Sequence, residues 1–161
     1  MLSIKTAQPI GNDECTLNQL VDQLIMTYQP AARKQDSYFI NKVPVGLPLR
    51  INKGELVTLL GTVFHIMANC SRDTFIEVSA ETYLDVIMLH IKDASTFNSY
   101  AISSKRQLLQ QQAEKTGGFL TIDCDQPKET IVTYSFTNSE AVRPEKVHQM
   151  RFKFGNELAY A

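Results

Sequence analysis

Asp93 closes the apolar run VIMLHIKD, and a carboxylate at the end of such a run has two chemical uses. It can accept a hydrogen bond from a ligand, or it can terminate a buried strand and cap the turn that follows. The other candidates for chemistry are more scattered. His65, His90 and His148 stand alone, each without an acidic residue directly after it, and His65 and His90 fall in apolar surroundings that suit packed or edge histidines. Glu77, Glu81 and Asp85 cluster near a hairpin, where solvated charges are expected; a hydrolase would need two carboxylates held at a defined separation in a cleft. Cys15, Cys70 and Cys124 are odd in number and far apart, without a Cys-x-x-Cys pair or a histidine cluster, so reduced thiols are expected. No Ser-His-Asp or Cys-His arrangement follows from spacing, and no catalytic residue or resident metal is assigned.

The elements that must position these residues are legible as periodicities. TLNQLVDQLIMTYQ has Thr16 and Gln19 at capping-box spacing, then Leu17, Leu20, Val21, Leu24, Ile25 and Tyr28 at intervals of three and four, which predicts an amphipathic helix over about 16–29 with a kink at Pro30. Residues 38–43 read as a short strand. A second helix, over 53–70, starts from an Asn52 cap and carries the stripe Leu56, Leu59, Leu60, Val63, Phe64 and Met67. TFIEVSA and YLDVIMLHI read as two strands around a Glu81-Thr82 turn, the second apolar enough to be central and covered on both faces. Residues 94–104 read as a loop, 104–116 as a helix capped by Gly117 and Gly118, and FLTIDC with TIVTYSF as a hairpin. This order predicts an α+β two-layer sandwich: a mixed sheet of about five strands with helices on one face.

The chain is 161 residues long, with 43% hydrophobic residues and a net charge of -1. That suits one compact domain with a sizeable core. Near-neutral charge with scattered lysines and arginines argues against nucleic acid, and the apolar runs are too short to cross a membrane. The N-terminus lacks the plan of a signal peptide, so a cytoplasmic location is expected. Arg143, Lys146, Arg151 and Lys153 suit either a solvated helix or a partner-binding face.

With those words in that order, residues 16–137 resemble the GHKL ATP-binding domain of two-component sensor histidine kinases. TLNQLVDQLIMTYQPAARKQ resembles its entry helix, INKGELVTLLGTVFHIMANCS its asparagine-box helix, TFIEVSA and VIMLHIKD the next two strands, and AEKTGGFLTID with ETIVTYSF its final helix and hairpin. The resemblance implies a domain over 1–138, a partly helical extension over 139–161, and a longer parent chain. It also implies a nucleotide site built from Asp93, Asn69 and Thr62, with Asp93 where the family's aspartate accepts from the adenine amino group.

Departures from the family pattern are as informative as the match. The asparagine-box stripe holds Thr62, Ile66 and Asn69, and Ile66 can neither coordinate magnesium nor orient a water. Ser95 and Phe97 stand at glycine positions of the lid, and no glycine occurs between Gly61 and Gly117, so the backbone lacks the residue that lets N–H groups converge on phosphates. Ile66 with Phe97, Tyr100 or Ile102 is expected to narrow the pocket. A weaker echo of the aspartate-glycine box in FTNSEAVRPEKV would leave the sheet incomplete, so the first register is preferred. Two functions follow from the resemblance: a domain eroded to regulation or docking, binding no cofactor, or an active kinase domain using ATP and magnesium beneath an unusual lid. The implied partners are the dimerising phosphoacceptor helices of the parent sensor, or a response regulator.

Overall fold

The computed structural model describes residues 15–94, 99–124 and 129–139. The chain enters on α1 (Leu17–Arg33), with the expected capping box: Gln19 N–H donates to Thr16 Oγ1 and Thr16 N–H to Gln19 Oε1, both at 3.1 Å. α1 continues through Pro30 instead of ending there. Proline removes one intrahelical bond, whose acceptor is the carbonyl of the well-exposed Met26, where water can replace it.

β1 (Tyr38–Asn41) follows at one edge of the sheet. Side chains of α1 occupy its outer rim: Phe39 N–H donates to Gln29 Oε1 at 3.0 Å, Gln29 Nε2 to Ser37 O at 3.2 Å, and Asn18 Nδ2 to Val43 O at 2.7 Å. This satisfies backbone groups that an open edge would leave for another strand. α2 (Lys53–Cys70) is capped by Asn52, which accepts from Glu55 N–H at 3.1 Å. Its expected stripe from Leu56 to Met67 is buried, together with Gly61, Ile66 and Ala68.

β2 (Phe75–Tyr83) and β3 (Val86–Asp93) form an antiparallel pair, followed by α3 (Ser99–Ser104), α4 (Arg106–Lys115), β4 (Phe119–Asp123) and β5 (Thr130–Thr137). The sheet order is β1-β2-β3-β5-β4, with β1 parallel to β2 and the other pairs antiparallel. Strand period two aligns Ile76, Val78, Ile87, Leu89, Ile91, Leu120, Ile122, Val132, Tyr134 and Phe136 on one face, where they form a single core with the buried residues of the helices. This is the expected mixed five-stranded α+β sandwich. Met88, His90 and Lys92 lie on the other face and are half-buried; among the described residues, helices cover the central β3 on one side only.

Two further expectations are corrected. The β2–β3 turn lies at Leu84 and Asp85, not at Glu81-Thr82, because the register that buries Ile87 and Leu89 pairs them with Thr82 and Ala80 and extends both strands. Within the segment expected as a loop, residues 99–104 form α3, whose Ile102 enters the core. Gly117, at φ 79°, terminates α4 as expected. The next residue must also be glycine, since a Cβ on Gly118 would lie 2.5 Å from Tyr134 Cε1. The expected boundary at 138 falls at the edge of the described residues, and the 139–161 extension, apart from Ser139, lies outside them.

Candidate nucleotide-binding site

Asp93 sits on the buried face of β3 because it continues the alternation of Ile87, Leu89 and Ile91, and it is fully buried. Ser71, the residue that ends α2, donates its hydroxyl to Asp93 Oδ2 at 2.5 Å. Across the ladder Asp93 pairs with Thr130 of β5, also fully buried, whose Oγ1 has no hydrogen-bond partner. The result is a buried polar group of one carboxylate and two hydroxyls at the end of the sheet reached by the C-terminus of α2. Ser71 and Thr130 were not among the residues expected from sequence. Strand parity could have put Thr130 on the buried face, but the pairing of β3 with β5 spans about forty residues and leaves no local signal.

Thr62 and Asn69 do not join this group. The Thr62 hydroxyl donates to Thr58 O at 3.0 Å, and Asn69 Nδ2 donates to His65 O at 2.8 Å, so both side chains are committed to carbonyls of their own helix. Thr62 is half-buried and Asn69 exposed, whereas Ile66 between them is buried. As magnesium ligands the pair offers one hydroxyl and one amide and no carboxylate, a poor match for a hard cation.

α3 occupies the position where the resemblance puts the lid. It packs against α2, and its fully buried Ile102 belongs to the same core as Ile66. Tyr100 points outward, and Phe97 lies outside the described residues. Ser103 Oγ lies 3.2 Å from Cys124 Sγ, fastening the end of α3 to the end of β4. His90, Glu77 and Glu81 stand on the opposite face of the sheet: His90 Nδ1 is 3.1 Å from Thr133 Oγ1, its Nε2 is 4.0 Å from Glu81, and Glu77 pairs with Lys42 at 3.3 Å. Among the described residues no three histidine, cysteine, aspartate or glutamate side chains gather as metal ligands.

Neither family models nor curated proteins gave a match to the chain. Solved structures did. The histidine kinase AdeS of Acinetobacter baumannii superposes with a TM-score of 0.64 at 11% identity, over 78% of this chain and 66% of that one. The nucleotide-free catalytic domain of histidine kinase ThkA gives 0.65 at 11% identity, over 78% of this chain and 96% of that domain. The fold is that of a histidine kinase catalytic domain. ThkA in complex with the response regulator protein TrrA is also similar, with a TM-score of 0.64 at 11% identity, over 81% of this chain and 42% of that one. The chain thus spans about two thirds of AdeS and nearly all of the isolated ThkA catalytic domain.

Asp93 and the Thr130 hydroxyl, both fully buried, set an acceptor beside a donor at the end of the sheet. Thr62 and Asn69, each bonded to its own helix, do not suit magnesium. No helix among the described residues is long and apolar enough to cross a membrane.

Proposed function

We propose that this domain keeps the histidine kinase catalytic fold but works as a regulatory docking unit of a cytoplasmic two-component sensor, with phosphotransfer lost. Its partners are the dimerising phosphoacceptor helices of the parent sensor, or a response regulator of the kind that ThkA binds. The observation that carries this reading is α3: a packed helix with Ile102 fully buried stands in place of a glycine-rich lid. A phosphate cradle needs backbone N–H groups converging on one point, and a helical turn bonded to its own carbonyls and pinned by an isoleucine does not supply them. The self-bonded Thr62 and Asn69 side chains support the same reading. One observation favours an active kinase domain instead, the free Thr130 hydroxyl beside Asp93.

A thermal melt of the whole chain with ATP, with and without magnesium, separates the two. For a Kd of about 50 μM, about 5 mM ATP stabilises the folded state by about 2.7 kcal/mol. At about 2–4 °C per kcal/mol, the Tm rises by about 5–10 °C. With magnesium and phosphate contacts missing, affinity no better than about 1 mM is expected, which limits the rise to about 2–4 °C. The expected result is a shift in that lower range, insensitive to magnesium. A magnesium-dependent rise above about 5 °C that Asp93→Ala abolishes would overturn this reading and restore the active kinase domain as the better one.

A further inference from the structure

We propose that the segment after β5, residues 140–161, folds back over the far face of the sheet and covers its end beside the β2–β3 turn. Val86 and Thr137 carry this inference. They are ladder partners on β3 and β5, and strand parity sets them on the face opposite the helices, since Ile87 and Phe136 beside them enter the core. Val86 is nevertheless only 3% exposed and Thr137 0%, and among the described residues Val86 is the one buried apolar side chain that the core does not include. Thr137 Oγ1 is buried there without a hydrogen-bond partner. Side chains at the end of a sheet ordinarily have fewer neighbours than those in its middle; here the middle of the same face, with Met88, His90, Thr133 and Ser135, is only half-buried. Tyr83, across from Val86 on β2, borders the pair but is itself exposed. A layer over this end accounts for the reversal.

The chain supplies that layer at the right place. β5 ends at Thr137, and Asn138 donates its N–H to Asp85 O at 2.7 Å and its Nδ2 to Pro48 O at 2.6 Å, so the residues that follow start beside the buried pair. Fifteen residues separate Ser139 from Phe154, and an extended chain of that length reaches about 50 Å, against roughly 19 Å across five strands. Residues 146–154, KVHQMRFKF, interleave Val147, Met150, Phe152 and Phe154 with Lys146, Arg151 and Lys153. The face offers the complement: apolar Tyr83, Val86 and Met88 at and near the covered end, and around them Glu77, Glu81, Asp123 and Glu129 against Lys42 and Lys92. Charge also sets aside two other occupants. A second copy docked through the same face would bring like carboxylates together, and residues 1–14 hold Asp13 and Glu14 with a single lysine.

Photocross-linking in the whole chain tests this. Benzoylphenylalanine replaces Phe152 in one preparation and Phe154 in another, an equal mixture of unlabelled and isotope-labelled chains is irradiated, and the adducts are mapped by mass spectrometry. Adducts within one chain to residues 79–92 or 131–137 are expected from at least one of the two positions. Adducts only between chains make the face a site for a second copy, adducts confined to the helices put the segment elsewhere, and no adduct from either position means that it does not dock; each of these overturns the proposal. A second measurement uses F152S/F154S in the whole chain, where the Tm is expected to fall by about 4–8 °C. Combined with Val86→Ala, the fall should be less than the sum of the two, because both changes remove the same contact. An unchanged Tm in F152S/F154S, or strict additivity with Val86→Ala, overturns the proposal as well.

Discussion

Thr130, directly across the ladder from Asp93, has a buried Oγ1 with no hydrogen-bond partner, an arrangement that costs the folded protein the desolvation of a hydroxyl. Thr130→Val keeps the shape and removes that group, so urea unfolding should show it neutral or stabilising by up to about 1 kcal/mol. A loss of about 1 kcal/mol or more would mean that the hydroxyl is satisfied in solution. Asp93→Ala has the opposite sign, because it removes the carboxylate that accepts from the Ser71 hydroxyl and leaves a void; about 2–3 kcal/mol of destabilisation is expected in the same measurement. Tyr134 is the other buried polar residue with a consequence. Burial holds its phenol well above the usual tyrosine value, the negative charge of Glu55 adds to this, and its hydroxyl meets that of Thr116. Since the folded pKa is raised, this contribution to stability is complete below the unfolded value of about 10 and is lost as pH rises above it. Stability measured between about pH 9 and pH 11 should fall, and less steeply in Tyr134→Phe.

α3 is six residues long, too short to be stable alone, so its conformation depends on what it packs against. Ile102 provides that packing, and Ile102→Ala should cost about 2–5 kcal/mol in chemical unfolding. Tyr100→Ala, two residues away on the outer side, should change stability by less than about 0.5 kcal/mol. Equal effects at the two positions would mean that the helix is rotated or absent in solution. β1, with four residues, is similarly dependent on its surroundings, held by β2 on one side and by Gln29 and Asn18 of α1 on the other.

At the scale of the molecule, one core runs from α1 through the sheet to α4 and β5 without a seam. Such a body unfolds as a unit. Far-ultraviolet circular dichroism and tyrosine fluorescence should therefore give coincident urea transitions. Separation of the two curves would show that the α3–α4 region opens on its own. The face of the sheet opposite the described helices is polar along its middle, with Lys42–Glu77 and Lys92–Glu129 pairs. It accounts for the half-exposed Met88 and His90 in a strand whose composition suggests burial on both sides.

Local periodicity was enough to identify α1, α2 and the β4–β5 hairpin, because the capping box at Thr16, the cap at Asn52 and the glycine stop at Gly117 are chemical signals contained within a few residues. It also put Asp93 at the end of a buried strand. The Leu84-Asp85 turn was not legible, since strand register answers to partners, and Thr82 and Ile87 pair only once the core has chosen its face. Nor was α3, whose six residues take their helical form from the contact that buries Ile102. The candidate site divides in the same way. Asp93 could be named from its own neighbourhood, but the hydroxyls that surround it come from Ser71 and Thr130, 22 and 37 positions away in the chain. A hydrogen bond between residues so far apart is a property of the packed sheet and helix, and only the tertiary structure decided it.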